Sequence, residues 1–309
     1  MGRFILTRFV YMIVAFWVVV TATFFTMHFL PGSPLQNQAK LPEKMRERIE
    51  EHYGLNDPLA VQYFRYLGDL AQGDLGLSFK YEGRSVNQII AERIGPSAQL
   101  GVQALIFGTV VGVALGILAG LRQNTWIDYS SMAVAILSMS LPNFVLAAFL
   151  SYFVGVKLGW LPVALWEGFE YTILPTLTLS GTVIAMLARF MRTEMIEVLG
   201  QDYIKTAKAK GLSPSAVVWK HTIRNAMLPS VTVLGTIAIN IVTGSLVIEQ
   251  MFGVPGIGEQ FVTSILAKDL TVIMGVTIFY SALFILTIFI TDVLYGVIDP
   301  RIRLSEVKA

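Results

Sequence analysis

The side chains that could carry out chemistry are few and scattered along the chain. The three histidines, His28, His52 and His221, have no metal-ligand spacing, and the 309 residues include no cysteine. A G-x-x-x-x-G-K-[ST] phosphate loop, an H-E-x-x-H zinc motif and a G-x-S-x-G nucleophile elbow are also absent from the sequence. We therefore predict that the chain is not an enzyme, holds no cofactor or metal of its own, and uses energy supplied by other proteins.

Uncharged polar residues interrupt two apolar stretches and could contact a solute. They are Ser138, Ser140 and Asn143 around Pro142 in one stretch, and Asn240, Thr243 and Ser245 in a later one. Pro142 removes one helical hydrogen bond and predicts a kink. Polar groups in membrane helices usually face the protein interior or a wet path. The pattern leaves two interpretations: hydrogen bonds between helices, or the polar lining of a translocation path.

A basic segment, Asp202–Pro229, separates two apolar stretches and is predicted to be a helix–turn–helix. The first helix covers Asp202–Lys210 and stops at Gly211, and Ser213-Pro214 caps and starts the second. Ile204, Ala207 and Gly211 share one face by their spacing, which would let a partner approach closely. The segment could rest on anionic lipid headgroups, or it could dock to a protein partner; the double capping favours the protein partner.

Composition places the chain in the membrane class. It is 54% hydrophobic and 14% charged, against about 25% charged residues in a soluble domain, and its mean hydropathy is +0.64. Six stretches are long and apolar enough to span a bilayer. They are Phe9–Leu30, Ser97–Leu121, Tyr129–Val156, Ile173–Leu187, Leu228–Ile248 and Thr271–Thr291. We therefore predict an all-α polytopic membrane protein with six transmembrane helices.

The distribution of lysine and arginine predicts the orientation. With both termini in the cytoplasm, the inner segments hold thirteen basic residues, whereas the short outer segments hold Lys157 and Lys268. Cytoplasmic loops carry the excess of positive charge in membrane proteins. We therefore expect the N- and C-termini to be cytoplasmic.

Residues 31–96 form a long outer loop that is predicted to be helical. A helix over Glu43–Tyr53 would stop at Gly54, and a second would start at Asp57-Pro58 and end near Gln72 and Gly73. A short helix capped by Ser85 would end at Gly95-Pro96. This small cap is either a packing element or a contact for a substrate-delivering protein.

A row of glycines in the second stretch predicts close helix packing. Gly108, Gly112, Gly116 and Gly120 are each four residues apart and line one helical face. Because a glycine inside a helix costs about 1 kcal/mol relative to alanine, four of them call for a packing reason. A ligand groove is the alternative.

Several motifs resemble those of one family. The string DYIKTAKAKGLS…KHTIRNAMLP resembles the cytoplasmic "EAA" loop of ABC-importer permeases of the oligopeptide, dipeptide and nickel group, with the family's glycine at Gly211. Leu30–Pro34 after the first span, Glu249 with Phe252–Gly258, and a C-terminal Asp292–Arg301 stretch are similar to the same group. The chain looks closest to the B-type subunit of oligopeptide permeases.

The resemblance implies a type I ABC importer permease fold in the inner membrane of a bacterium. It divides the chain into residues 1–30 with the first helix, the extracytoplasmic insertion 31–96, and a core of five helices over 97–309 with a coupling loop at 190–227. The implied partners are a second homologous permease, two cytoplasmic ATPases that hold ATP and Mg, an outer peptide-binding protein, a peptide substrate and membrane lipid, with no nucleic acid.

The residue patterns and the resemblance together predict two groups of functional residues. Those expected to couple to the ATPases are Asp202, Tyr203, Thr206, Ala207, Lys210, Gly211, Leu212 and Ser213. Those expected to line the path or gate are Ser140, Pro142, Asn143, Asn240, Thr243, Glu249, Pro255 and Gly256. A structural turn is the alternative for the Gly/Pro-rich stretch after Glu249.

Other functions remain as alternatives to oligopeptide import. Within the family they are import of dipeptides, nickel or glutathione. An ion-coupled secondary transporter is disfavoured because the six predicted spans contain no Asp, Glu, Lys or Arg. A membrane-embedded enzyme is disfavoured because the sequence shows no paired carboxylates, metal ligands or nucleophile–base pair.

Overall fold

Long apolar stretches with few breakers favour helices, since a helix satisfies its own backbone hydrogen bonds inside a bilayer. The computed structural model describes residues 2–29, 54, 57–81, 83–227, 229–230, 234, 237, 241 and 245–298. Its helices are α1 (Gly2–Phe29), α2 (Leu59–Ala71), α3 (Val86–Leu121), α4 (Trp126–Ser140), α5 (Asn143–Leu150, followed by π-helical turns over Ser151–Lys157), α6 (Phe169–Gly200), α7 (Asp202–Ala209), α8 (Pro214–Ala216, followed by π-helical turns over Val217–Ile223), α9 (Leu246–Phe252), α10 (Ile257–Ala267) and α11 (Leu270–Ile298). The described residues form no strand; Leu77 and Ser85 make an isolated bridge.

Four helices in the described part of the chain are long and apolar enough to cross a membrane. They lie in α1, α3, α6 and α11, and a fifth span is possible if α4 and α5 together count as one. The predicted fifth stretch, Leu228–Ile248, falls largely outside the described residues. The all-helical membrane architecture is therefore confirmed, whereas the number six is not reached by the described helices.

Three of the predicted boundaries were wrong. Helix α3 begins at Val86 and runs through Pro96, where a break was expected. A proline removes one helical bond, and buried Val86 and Ile89 before it and Leu100 after it hold the helix together.

The other two errors concern later stretches. Helix α6 extends to Gly200, well beyond the predicted Leu187, so its last turns overlap the predicted coupling loop 190–227. Ser245 has an extended backbone and caps α9, so the predicted Leu228–Ile248 helix does not continue through it.

The kink predicted at Pro142 is a sharp bend. Helices α4 and α5 meet at Leu141-Pro142 with an angle of 104° between them. A proline at position 142 cannot donate to the carbonyl of Ser138, four residues earlier. That carbonyl oxygen lies against Gly181 of α6, where an added Cβ atom would be 2.5 Å from it. The end of α4 therefore packs against the backbone of α6 at Gly181, where a side chain would not fit.

The chain divides into two compact units, and the first comprises residues 1–95 and 260–309. Within it α1 packs along α11, and α2 packs on the last turns of α1 through Phe24, Tyr63 and Tyr66. The predicted end of α2 is confirmed, because Ala71 is its last residue and Gly73 is left-handed. The predicted cap was wrong: Asp57 binds Arg65 instead of the helix N-terminus. The predicted helix Glu43–Tyr53 lies outside the described residues.

A buried aspartate ties the segment after α2 to the start of α11. The Asp269 carboxylate accepts hydrogen bonds from Ser78 Oγ at 2.5 Å and from the backbone N–H groups of Phe79 and Lys80 at 3.2 Å. It also accepts from Val272 N in the first turn of α11, where a negative charge is favourable. The described part of the outer loop is thus fixed to this unit rather than trailing from it.

The second unit, residues 96–259, is built around α6. The predicted glycine row of α3 lies along this helix. A Cβ atom on Gly108 would be 2.6 Å from Val183 Cβ, and one on Gly116 would be 2.6 Å from Met191 Cβ. Gly112 and Gly120 make the same kind of contact with Leu187 and Met195. A close seam between the two helices, rather than a ligand groove, is what this row forms.

Candidate functional site

The basic segment forms the compact helix–turn–helix that its capping residues predict. Helix α7 ends at Ala209, and Gly211 adopts the left-handed conformation with φ of +80°. Ser213 Oγ accepts a hydrogen bond from Ala216 N at 3.3 Å at the start of α8. The two helices are therefore joined by a turn whose conformation favours glycine.

The face of α7 that was predicted to meet a partner is buried within the chain itself. Ile204 is 0% exposed and Ala207 is 7% exposed. They belong to one hydrophobic cluster with Met191, Met195 and Val198 of α6. The same cluster contains three residues C-terminal to α8, namely Val217, Ile223 and Ala226. Ala207 therefore attaches α7 to α6, and its assignment as a partner contact requires correction.

The opposite face of α7 is available to a partner. Of the predicted coupling residues, Asp202, Tyr203, Thr206, Lys210, Gly211 and Ser213 are exposed, and Leu212 is half-buried. Lys205 Nζ lies 2.9 Å from Asp202 Oδ1, but both side chains are highly exposed, so the ion pair adds little stability. The segment thus presents a polar, mostly basic surface on an apolar base.

Two methionines link this segment to the glycine seam. Met191 and Met195 belong to the cluster that contains the buried residues of α7. Their Cβ atoms also lie against Gly116 and Gly120 of α3, respectively. Val113 and Ile117 of α3 pack against the same cluster. Met191 and Met195 therefore belong both to the cluster under α7 and to the seam between α6 and α3.

An ion pair holds α4 to the same part of α6. Arg192 Nε lies 2.6 Å from Asp128 Oδ1, and Arg192 Nη2 lies 2.7 Å from Asp128 Oδ2. Asp128 is 1% exposed and also accepts from Asn124 N at 2.9 Å. This bidentate geometry satisfies both carboxylate oxygens. No local pattern indicates the pair, since 64 positions separate its members.

Glu249 organises the Gly/Pro-rich turn that follows α9. It is fully buried, and its carboxylate accepts from Ser97 Oγ at 2.9 Å, Gly258 N at 2.8 Å and Glu259 N at 3.3 Å. Ser97 Oγ in turn accepts from Ile257 N at 2.9 Å. A buried carboxyl group that accepts from these donors joins the two ends of the turn.

Glycine is required at the centre of this turn. A Cβ atom on Gly256 would collide with the Glu249 carboxylate and with Ser97 Oγ. Gly256 is buried and Pro255 is half-buried. For Glu249 and Gly256 the geometry favours the structural-turn alternative over direct contact with solute.

A cavity of about 450 Å³ lies beside the bend between α4 and α5. Its polar lining consists of Asn143, Thr182 and Ser245. Its apolar lining consists of Leu179, Ile241, Leu246 and Val247. Within the part of the chain that the structure describes, none of the lining residues is charged. The predicted residues Asn143 and Ser245 thus line the same cavity. Thr182 was not predicted, because its location beside the cavity depends on tertiary packing.

The other predicted path residues have different surroundings. Ser138 and Ser140 donate to the carbonyls of Val134 and Ile136, one turn earlier in α4, both at 2.8 Å. They therefore neither bridge helices nor offer a free hydroxyl donor. Pro142 is exposed at the bend, and Asn240 and Thr243 lie outside the described residues.

These features are those of a multi-pass helical membrane protein with a rigid helix–turn–helix packed on one of its membrane helices. Residues 112–304 match the family of binding-protein-dependent transport system inner membrane components, and residues 1–98 match the N-terminal model of such membrane components. The chain belongs to this family of binding-protein-dependent inner membrane transport components.

Similar proteins extend over the whole chain. A dipeptide transport system permease protein of Bacillus subtilis is 43% identical over 306 residues, 99% of each chain. Oligopeptide transport system permease proteins of Haemophilus influenzae and Salmonella typhimurium are 43% and 42% identical over 305 residues, 98% of this chain and 100% of each relative.

Two solved structures share the fold. An amino acid ABC transporter crystallised with histidines aligns with a TM-score of 0.53 and 14% identity, over 70% of this chain and 94% of its own. An inward-facing methionine ABC transporter aligns with a TM-score of 0.54 and 19% identity, over 69% of this chain and 97% of its own. At these identities the likeness concerns the fold alone.

Proposed function

We propose that the chain is the transmembrane permease subunit of an ATP-driven oligopeptide importer. It forms half of a translocation path with a second homologous permease and couples to two cytoplasmic ATPases through the segment 202–229. The observation that carries this proposal is the capped helix–turn–helix whose apolar face is packed on α6 and whose polar face is exposed. The peptide permeases that match the full length of the chain supply the substrate class.

The proposed mechanism is alternating access driven from outside the chain. ATP binding brings the two ATPases together and displaces the α7–α8 segment held on one of them. Helix α6 follows because Ile204 and Ala207 are packed on Met191 and Met195, and α3 and α4 follow through the glycine seam and the Asp128–Arg192 pair. The ATPases must bind the two conformations with different affinity, since otherwise no population shift results.

The remaining parts of the machine lie in other chains. ATP and Mg bind to the ATPase subunits, and a peptide-binding protein delivers the substrate on the outer side. The described outer segment around Asp269 offers that protein a fixed surface rather than a mobile one. We infer that both termini lie in the cytoplasm of a bacterial cell, and the excess of basic residues in the inner segments supports this orientation.

Dipeptide import is the second candidate. It is favoured by the Bacillus subtilis dipeptide permease, whose 43% identity equals that of the Haemophilus influenzae oligopeptide permease. The two candidates differ in the length of peptide carried.

The test uses the complete importer in proteoliposomes, with receptor outside and ATP inside. Uptake of alanine peptides of two to six residues is measured alongside ATP hydrolysis. We expect uptake that requires ATP and extends to peptides of four or more residues. Uptake limited to two residues would establish the dipeptide alternative. Transport by this chain alone under an ion gradient would overturn the proposal.

The turn at Gly211 provides a test of coupling. A valine there must adopt the left-handed conformation, at a cost of about 1–2 kcal/mol, whereas asparagine tolerates it better. An added Cβ atom has open space, so the conformation alone is tested. We expect Gly211→Val to lower peptide-stimulated ATP hydrolysis while membrane insertion persists, and Gly211→Asn to retain most of it. Equal coupling in both variants would contradict a role for this turn.

A further inference from the structure

The cavity beside the bend contains polar side chains whose hydrogen-bonding capacity is unused. Neither the Asn143 carboxamide nor the Thr182 hydroxyl forms a hydrogen bond with another described residue. Both residues are half-buried and line the cavity of about 450 Å³. A membrane protein keeps an unsatisfied polar group at such a place when the group meets water or a ligand.

Neighbouring hydroxyl groups show that this is not the general condition of these helices. Thr178 and Ser180, close to Thr182 on α6, donate to the carbonyls of Leu174 and Leu177, both at 2.9 Å. The serines of α4 near the bend are satisfied in the same way. Thr182 therefore differs from hydroxyl residues of the same helix in that its side chain is turned to a cavity instead of its own backbone.

The chemistry of the lining indicates the ligand. The described lining residues carry no charge, so they offer nothing to pair with a charged side chain or a chain terminus. A carboxamide provides two donors and an acceptor, and a hydroxyl provides one donor and can accept. That set complements the N–H and C=O of a peptide group. Leu179 and Ile241 supply apolar wall around it. The volume falls within the range of about 300–1,000 Å³ found for small-ligand sites.

We propose that this cavity is a subsite that binds the backbone of an extended peptide through Asn143 and Thr182. The proposal rests on the proposed function and makes it more specific. The permease binds peptide groups, which every peptide shares, and does not discriminate between side chains. Ser245 is assigned a different role, because its hydroxyl already accepts from Ile248 N at 3.4 Å and caps α9.

The test compares two probes in the complete importer in proteoliposomes. One is trialanine, and the other is trialanine methylated on its central amide nitrogen, which removes a backbone donor while retaining length and side chains. The same receptor serves every permease variant, so differences between variants report on the permease. We expect the wild type to transport the unmethylated probe faster.

Two nearly isosteric variants remove the proposed contacts. Asn143→Leu and Thr182→Val are each expected to lower trialanine transport about fivefold, corresponding to the loss of one hydrogen bond, and to leave the methylated probe almost unchanged. The preference between probes therefore collapses, whereas Thr182→Ser retains it. The matched control is Thr193→Val on the same helix, because Thr193 donates to Arg189 O at 3.1 Å and lies outside the cavity lining.

Each outcome has a distinct meaning. If the wild type prefers trialanine and the variants keep the full preference, the cavity does not read the backbone and the subsite is overturned. If the wild-type importer moves neither probe, the proposed function fails, which is a separate result.

A crosslinking experiment keeps the subsite testable if a variant fails to assemble. A benzophenone amino acid is introduced at Val247, which lines the cavity and is 51% exposed, or at Val134 of α4, which is 52% exposed and outside it. Irradiation with radiolabelled trialanine should label the importer at position 247 and not at 134. Labelling at neither position, or equally at both, would overturn the subsite.

Discussion

The two halves of α6 meet their neighbours in different ways. In residues 183–200 one face fills the glycine seam, another receives α7, and Arg192 is neutralised by Asp128. In residues 169–182 the helix borders a cavity, leaves Thr182 without a partner among the described residues, and faces a neighbour that is broken at Pro142.

The difference shows how one continuous helix can combine stiffness with room for a ligand. A closely packed helix can transmit a displacement to its neighbours, whereas a cavity with unpaired polar groups can bind a ligand. Variants that damage one half of α6 and leave the other intact test this difference.

The largest effect is expected for Arg192→Met. It leaves the Asp128 carboxylate buried without its cation, which typically costs about 3–5 kcal/mol of folding free energy. The measurement is the folded fraction in mild detergent as a function of temperature. The double variant Arg192→Met with Asp128→Leu should recover much of the loss. A single variant as stable as the wild type would show that this half is not held by the pair.

A smaller loss is expected for Gly116→Val. Its Cβ atom would lie 2.6 Å from Met191 Cβ and 2.7 Å from the Ala188 carbonyl oxygen, and backbone cannot move aside easily. Overpacking of this kind costs about 1–3 kcal/mol. Gly200→Ala is the matched control, since nothing lies within 4 Å of its added Cβ atom. Size-exclusion profiles and melting temperatures should separate the two; equal melting would argue against a tight seam.

The smallest effect on stability, and a specific effect on shape, is expected for Gly181→Ala. The new methyl group would press on Ser138 O at the end of α4, and the broken backbone there can yield. The chain has no cysteine, so spin labels can be attached through Val134→Cys and Phe149→Cys alone. We expect the distance between the labels on α4 and α5 to change while melting shifts by less than in Gly116→Val. An unchanged distance would show that the bend is independent of its seat on α6.

Features set by local chemistry were predictable from the sequence. The left-handed turn at Gly211, the cap at Ser213 and the bend at Pro142 each follow from the conformational properties of one residue. The spacing of the four glycines likewise defines a face before any partner helix is known. The family resemblance, carried by the segment around Gly211 and by three other motifs, is confirmed by matches over nearly the whole chain.

Features set by distant contacts were not predictable. Pro96 reads as a helix end, yet α3 continues because buried residues on both sides hold it. Ala207 reads as a small residue open to a partner, but the apolar cluster on α6 takes it. The Asp128–Arg192 pair and the cavity position of Thr182 depend on which helices become neighbours, and a single sequence contains no record of that.

The length of α6 sets a scale for conformational change. From Thr182 to the last residue of the helix, Gly200, there are 18 steps. At about 1.5 Å per residue this is about 27 Å. A rotation of the helix by roughly 5° about one of these two points therefore moves the other by about 2 Å. A shift of that size approaches the length of a hydrogen bond. Under the proposed mechanism, a small tilt at the α7 end of the helix is therefore enough to make or break a contact with a solute near Thr182.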